Sequence, residues 1–401
     1  MTARVERRRA ERRGPRREEW PSFALGERLG ALEVVICAGS GGVGKTTISA
    51  SIAMSIAAAQ DKRVLVLTVD PARRLATALG LKGIGTDPVV LSQTRLRRAG
   101  LPAHGEVVAA QLDMKSAWDR MIERYSPDRK TAQKILNNRF YQRISDSFVG
   151  SHEYAAMESL FEIHETGEYD CLVIDTPPSR NALDFLEAPS RLSDYVGARL
   201  LSWLAGPSGL GLRAVNFAAA PFIRIADRLL GSELLAEVAD FVRQLQQLYG
   251  GIQQRAREVY RLLRSPVVGF VVVTTLEPGP FAEAEFFCTK LREFSMPLRA
   301  VVVNRMLPDA LRDPSGKVAA TTLTEDPRVA GWLSTELGQR ISADTARALG
   351  DHFLMGNALA QRDWRQFSRL AHLGDVAIAR VPLFTDDVSQ LEGLVRIAGL
   401  L

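Results

Sequence analysis

Short apolar runs recur along the chain and alternate with longer stretches of helical character. The runs cover 33–37, 63–69, 106–112, 170–174, 266–274, 298–303 and 376–381. Each has the length of a buried strand, and most are apolar at consecutive positions, which is typical of parallel sheets covered on both faces. Helical stretches such as 45–59 and 281–294 lie between them. We therefore predict an α/β fold with a doubly wound, mostly parallel sheet.

Two long segments do not follow this alternation. Residues 187–265 lack a strand pattern and are rich in Leu, Ala and Arg. They predict several helices, with breaks at Gly206-Pro207, at 209–211 and at Gly250-Gly251. Residues 306–372 form a second insertion, partly polar and partly helical. We predict one domain over 31–401 that includes 187–265 as a helical subdomain.

The N-terminal residues hold most of the net charge. The first 20 contain eight Arg and four Glu, a net charge of +4 out of +5 for the whole chain. We predict a basic, disordered tail over 1–30; the alternative is a basic arm for an acidic partner or a membrane surface. The rest of the chain is near neutral, so a nucleic-acid partner is not expected.

The cysteines and the hydropathy of the sequence indicate the cellular compartment of the protein. Hydrophobic residues make up 46% of the chain, which suits a globular protein with a large core. Cys37, Cys171 and Cys288 are far apart and form no CxxC pair, so they predict neither a disulfide framework nor a zinc site. The sequence shows neither a secretory signal nor an apolar run of membrane-spanning length, which predicts a cytoplasmic protein.

The strongest local motif is Gly39-Ser40-Gly41-Gly42-Val43-Gly44-Lys45-Thr46, followed by Thr47. It matches the pattern GxxxxGK[ST] and lies between an apolar strand and an Ala-rich helix, the context that a phosphate loop requires. Glycines allow positive φ, so that successive N–H groups face phosphate oxygens, and the helix start adds its positive dipole end. Lys45 would contact the β- and γ-phosphates, and Thr46 would bind Mg²⁺. The predicted nucleotide-binding residues of this loop are Gly41, Gly42, Val43, Gly44, Lys45, Thr46 and Thr47.

Three further motifs follow apolar runs. Asp175 ends a strand, where a carboxylate beside the phosphate loop can hold Mg²⁺ through water, and the following Thr176-Pro177-Pro178-Ser179 can act as a γ-phosphate switch. Asp70, before Pro71, would either activate the attacking water or cap a helix. Asn304 offers an amide donor and acceptor that suit adenine, although a turn role fits equally well.

These motifs occur together in a fixed order, and in this combination the chain resembles the arsenite-pump ATPase (ArsA) family. That family includes a targeting factor for tail-anchored membrane proteins and bacterial anion-transporting ATPases. The resemblance covers about residues 33–395. It rests on 39–47, Asp70-Pro71-Ala72, 175–179 continuing into 183–189, Asn304-Arg305, and Val381-Pro382-Leu383.

The resemblance implies a role for each motif. Asp70 would lie in a first switch and act in catalysis with Lys45, and Asp175 would lie in a second switch. Asn304, together with the loop at Pro382 and Leu383, would hold adenine. The segment 187–265 would face a client or partner. Members of the family work as dimers or fused pseudodimers with ATP near the interface.

One departure from the family pattern concerns the phosphate loop. The family usually has a Lys, which reaches the phosphates of the other subunit, at the position of Ser40. A serine cannot neutralise charge that develops in the partner's site. A homodimer would then need another cation, with Arg73, Arg74 and Arg180 as candidates. A heterodimer with an ArsA-like paralogue that retains the Lys would also supply the charge.

We therefore predict an enzyme, an ATPase that uses ATP and Mg²⁺ and couples hydrolysis to a conformational change in a dimer. Its client would be an anion or metalloid moved with a membrane channel, or a hydrophobic segment of a membrane protein. The alternative is a weakly active, ATP-binding regulatory subunit of a heterodimer with a Lys-bearing paralogue. A thiolate site for arsenite is disfavoured, because Cys37 and Cys171 lie in predicted core strands.

Overall fold

The computed structural model describes residues 24–69, 74–81, 83–102, 104–144, 151–176, 232–373, 375–386, 388 and 390–401. Several of the predictions above lie outside these ranges. They concern the tail over 1–23, Asp70, the segment after Thr176, and the breaks at 206–211. Arg73 and Arg180, two of the three candidate cations, also lie outside the described residues.

The described residues form one sheet of eight strands. They are β1 (Val34–Ala38), β2 (Arg63–Thr68), β3 (Val89–Val90), β4 (Glu106–Gln111), β5 (Cys171–Asp175), β6 (Val268–Thr274), β7 (Leu298–Met306) and β8 (Ala377–Pro382). Their order is β3-β4-β2-β5-β1-β6-β7-β8, and every pair is parallel except β3 with β4. The predicted α/β class with a doubly wound, mostly parallel sheet is confirmed.

Helices cover both faces of the sheet. Before β6 they are α1 (Ala24–Leu29), α2 (Lys45–Ala59), α3 (Arg74–Ala78), α4 (Gln93–Arg98), α5 (Met114–Tyr125), α6 (Arg129–Leu136), α7 (Arg139–Ile144), α8 (Ser151–Thr166) and α9 (Ser232–Leu263). After β6 they are α10 (Pro278–Glu293), α11 (Pro314–Glu325), α12 (Val329–Leu337), α13 (Ala343–Arg369) and α14 (Leu391–Ala398). Short 3₁₀ turns span Asp309–Arg312 and Leu370–Leu373. None of the described helices is both long enough and apolar enough to cross a bilayer.

The sheet separates two apolar layers. Along β1, Val35 and Cys37 face a layer built with α2 and α14, whereas Val34 and Ile36 face a layer that contains parts of α9 and α10. Both faces are covered, so consecutive residues of β1 are all buried. This explains why the strands appear in the sequence as continuous apolar runs rather than alternating ones.

The structure corrects the sequence predictions at three places. Residues 24–29, assigned to the tail, form α1, whose Leu25 and Leu29 are buried. The pair Val89–Val90 adds a short antiparallel edge strand that the apolar pattern did not indicate. The second insertion, 306–372, is mostly helical through α11, α12 and α13.

The predicted break at Gly250-Gly251 is wrong, because α9 continues through both glycines. A Cβ at Gly251 would lie only 2.6 Å from the ring of Tyr125 on α5. Gly251 therefore allows two helices to approach closely rather than ending one of them. Tertiary packing overrides the low helix propensity of glycine at this position.

A buried ion network joins α9 to α8 and α5. The Arg255 guanidinium on α9 pairs with Glu158 at 3.0 Å and with Glu165 at 2.7 Å. Tyr125 donates a hydrogen bond to the same Glu158 carboxylate at 2.9 Å. Glu158 and Arg255 are both buried. Since a buried charge is tolerated only when it is paired, this network constrains the position of α9.

We expect Arg255→Met to lower the free energy of unfolding by about 3–5 kcal/mol, because it leaves the Glu158 carboxylate buried without its cation. Urea-induced unfolding followed by circular dichroism measures this loss. The control is Arg257→Met on the exposed side of the same helix, which should change stability by less than about 0.5 kcal/mol. Similar losses in the two variants would show that the ion network does not stabilise the fold.

Candidate functional site

The phosphate loop connects β1 to α2, and its glycines occupy backbone conformations that other residues avoid. The φ angles of Gly42 and Gly44 are 81° and 92°. A Cβ at Gly39 would collide with the carbonyl oxygen of Val273 on the neighbouring strand β6, and a Cβ at Gly44 would lie 2.5 Å from Nδ2 of Asn304. The loop therefore depends on glycine both for its turns and for its close contacts with neighbouring strands.

The start of α2 presents positive charge to the loop. Lys45 is 7% exposed, and its Nζ donates a hydrogen bond to the carbonyl oxygen of Ser40 at 2.9 Å. The residue before the helix, Gly44, provides no side-chain cap for the first turn. The first N–H groups of a helix lack intrahelical partners, so an anion can accept from them. This arrangement suits the phosphates of a nucleotide.

Asp175 connects the end of β5 to the phosphate loop. Its Oδ2 accepts hydrogen bonds from Oγ1 of Thr46 at 2.7 Å and from Oγ1 of Thr68 at 3.0 Å. The residue is fully buried. A hydroxyl and a carboxylate are hard oxygen ligands of the kind that Mg²⁺ prefers, so Thr46 and Asp175 fit a magnesium ion held directly and through water.

Asn304, near the end of β7, touches the phosphate loop from the other side. Its Nδ2 donates to the carbonyl oxygen of Val43 at 2.8 Å, and its Oδ1 accepts from the N–H of Arg305 at 2.9 Å. Arg305 has a φ of 58°, a left-handed conformation that is uncommon for a residue with a side chain. Asn304 thus supports both the phosphate loop and the irregular backbone at Arg305, where the pairing of β7 with β8 shifts register.

A cavity of about 370 Å³ lies between the loop, β7 and the end of β8. Its lining includes five of the predicted nucleotide-binding residues, namely Gly44, Thr47, Asn304, Pro382 and Leu383. The N–H of Leu383 bonds to the carbonyl oxygen of Met306 at 2.8 Å, which holds the loop after β8 against β7. The structure therefore places residues from three distant parts of the sequence around one cavity.

Three contributors to this region were not predicted from the sequence. Thr68 ends β2 and bonds to Asp175, Arg305 lines the cavity, and Phe384 lies beside it with the Arg396 guanidinium 4.3 Å from its ring centre. Thr68 immediately precedes Val69-Asp70, so its position at a strand end was a usable signal. Phe384 directly follows Pro382-Leu383, so its position in that loop was a usable signal as well.

Ser40 makes its contact within its own chain. Its hydroxyl donates a short hydrogen bond to the carboxylate of Glu283 on α10. Glu283 is exposed. An acidic group therefore lies beside the position where the family pattern has a lysine.

The cysteines lie in the core. Cys37, Cys171 and Cys288 are all buried, and burial raises the pKa of each thiol to about 12. Binding of a soft metal or metalloid through sulfur uses the thiolate form, which the burial of these residues disfavours. Within the described residues no group of three or more His, Cys, Asp or Glu side chains could hold a metal ion.

A comparison with known protein families matches residues 32–326 to the anion-transporting ATPase (ArsA) family. The chain belongs to this family. It is therefore an ATPase, and the resemblance carried by its motifs is confirmed.

Individual relatives are distant but cover most of the chain. The ATPase get3 of Schizosaccharomyces japonicus is 27% identical over 283 residues, which are 70% of this chain and 76% of the relative. The ATPase GET3 of Komagataella phaffii is 26% identical over 288 residues, 69% of this chain and 74% of the relative. The ATPase ASNA1 homolog of Entamoeba dispar is 25% identical over 293 residues, 69% and 77% of the two chains.

We expect Asn304→Ala to weaken ATP binding about tenfold, because it removes the bond to Val43 and leaves the Arg305 N–H without its acceptor. Isothermal titration calorimetry with ATP and magnesium measures this effect. The matched control is Asn357→Ala on α13, another buried asparagine that donates to one carbonyl oxygen, that of Leu311 at 2.6 Å. An equal loss of affinity in both variants would point to a general loss of structure instead.

Proposed function

We propose that this ATPase binds ATP with Mg²⁺ in the loop of 39–47, hydrolyses it, and uses the cycle to change the conformation of a dimer. The observation that carries the proposal is the contact of Asp175 with Thr46. It brings a carboxylate at a strand end and a hydroxyl of the phosphate loop within 2.7 Å of each other. This is the donor set that a metal bound to nucleotide phosphates needs.

Each group in the loop has a defined task in the proposed reaction. The backbone N–H groups at the start of α2 and the Lys45 ammonium bind the phosphates and stabilise the charge that develops on them during attack by water. Mg²⁺, when bound, would add positive charge that neutralises the phosphates. Thr46 and Asp175 hold that ion, and Asp70, outside the described residues, is the proposed group that activates water.

Asn304 and the cavity beside it are the proposed adenine site. Nδ2 has a second hydrogen and Oδ1 a second lone pair beyond the bonds to Val43 and Arg305. Both can therefore reach a base edge without releasing the phosphate loop. Pro382 and Leu383 would form the opposite wall.

We expect Lys45→Ala to reduce ATP affinity and to abolish hydrolysis, because it removes the only full positive charge in the 39–47 loop. Asp175→Asn should instead retain much of the nucleotide affinity in EDTA while losing the gain in affinity that magnesium provides. Calorimetry with and without magnesium separates the two effects. Unchanged ATP binding and turnover in Lys45→Ala would refute the proposed site.

The two classes of client, anions or metalloids and hydrophobic segments of membrane proteins, require different binding sites on the protein. Capture of a metalloid by thiolates needs ionised cysteines, whereas all three are buried with raised pKa values. This favours hydrophobic segments of membrane proteins as clients over metalloid capture at cysteines. Copurification distinguishes the classes, since a targeting ATPase retains an apolar peptide and a transport ATPase retains a membrane channel.

We further propose that the active assembly is a heterodimer, in which a paralogue with a lysine at the position of Ser40 supplies the missing charge. The Ser40 hydroxyl is engaged by Glu283 and carries no charge. In a homodimer each site would receive a serine, and both subunits would carry an acidic side chain beside the loop. The chain alone would then bind ATP and hydrolyse it slowly.

Ser40→Lys tests this idea. In single-turnover assays of the chain alone, we expect it to raise the hydrolysis rate at least about tenfold by restoring a cation that acts across the interface. The change is made with and without Glu283→Gln, because the Glu283 carboxylate can retain the new ammonium within its own subunit. Ser40→Gln, of similar length without charge, is the control. A wild-type rate equal to that of Ser40→Lys would exclude a need for the paralogue.

A further inference from the structure

A groove of about 660 Å³ lies at the C-terminal end of α9, far in the chain from the phosphate loop. It is lined by Arg257, Tyr260, Arg261, Arg264 and Ser265. Three of these five residues are exposed arginines. We call this surface the arginine groove.

The arginines of the groove differ from Arg255 on the same helix. Arg255 faces inward and pairs with Glu158, Glu165 and Glu258. The three groove arginines make no ion pair with any described residue; Arg264 only stacks near the Tyr260 ring, with 5.5 Å to its centre. Carboxylates of α8 and α9 therefore neutralise Arg255, whereas the charges of the three groove arginines face solvent.

Stabilisation of the helix does not account for this arrangement. A cation in the last turn interacts favourably with the negative end of the helix dipole, but the effect falls off within one turn. This interaction accounts for the positive charges of Arg261, in the last turn, and Arg264, directly after the helix end. Arg257 lies more than a turn before the helix end at Leu263, beyond that range. The charge therefore extends along the groove rather than clustering at the helix end.

The spacing of the arginines corresponds to that of an extended peptide. At a rise of 1.5 Å per residue, Arg257 and Arg261 are about 6 Å apart along the helix axis, and Arg264 follows directly after the helix end at Leu263. In an extended chain, alternate side chains lie on one side about 6.6 Å apart. Carboxylates at alternate positions of such a segment would face successive arginines.

We infer that the arginine groove binds an extended acidic segment of a partner protein, with carboxylates at alternate positions. A membrane surface fits less well. Helices that lie on membranes insert large apolar side chains, and no exposed large apolar residue is found in 250–267, all of which the structure describes. The groove precedes the start of β6, whereas the phosphate loop follows the end of β1, which is parallel to β6. The groove therefore lies at the N-terminal ends of the parallel strands, and the phosphate loop lies at their C-terminal ends.

The test uses the full chain and two fluorescent peptides of equal length and charge. One has glutamates at alternate positions, and the other has them in a single block. Fluorescence anisotropy should show tighter binding of the alternating peptide. The variant Arg257→Glu, Arg261→Glu, Arg264→Glu should weaken that binding at least about tenfold, and replacement of the same three residues by Gln should weaken it less.

The matched control reverses three other exposed arginines, Arg97, Arg98 and Arg347, and should keep the affinity within about twofold of wild type. We expect ATP affinity to be unchanged in all variants, which verifies that they are folded. This measurement also separates the inference about the groove from the proposed nucleotide site. An equal loss of peptide affinity in the groove and control variants would show that only net charge matters, and would overturn the inference. So would equal binding of the two peptides, or a preference for anionic phosphatidylserine vesicles over both.

Discussion

The proposed nucleotide site depends on one buried carboxylate. Asp175 ends β5 and receives hydroxyl groups from Thr46 on α2 and Thr68 on β2. A buried carboxylate without hydrogen-bond partners would destabilise the fold by several kcal/mol, and these two hydroxyl donors satisfy Oδ2 of Asp175. The same contacts fix the first turn of α2 against two strands. Folding therefore leaves a carboxylate and a hydroxyl next to the place where phosphates bind.

The rest of the site is arranged around the phosphate loop by close backbone contacts. Gly39 lies against Val273 of β6, and Gly44 lies against Asn304 of β7. Asn304 in turn bonds to Val43, so a residue proposed for adenine also supports the phosphate-binding backbone. A ligand that moves Asn304 would move the loop with it. This is a direct physical route by which base binding and phosphate binding influence each other.

The exposed charges differ in sign between the two ends of the parallel strands. Near the phosphate loop, Glu283 holds Ser40 and places a negative charge where the family pattern has a positive one. At the opposite ends of the strands, the arginine groove carries positive charge that pairs with no carboxylate in the part of the chain that the structure describes. The first feature bears on the proposed hydrolysis across a dimer interface, and the second bears on the inferred acidic partner.

Local sequence determined the strands, the phosphate loop and the class of fold. Seven of the eight strands coincide with apolar runs because most of their residues are buried or half-buried, and glycine spacing marks the loop. The edge strand β3, whose two residues are not buried, carries no such mark. Only the tertiary structure decided that Gly251 lies within a helix, because its role depends on Tyr125, 126 residues earlier in the chain. It also decided that Asn304 and Leu383 share a cavity with Gly44, and that Glu283 meets Ser40. Such pairings depend on the order of the strands in the sheet, which no local pattern of residues contains.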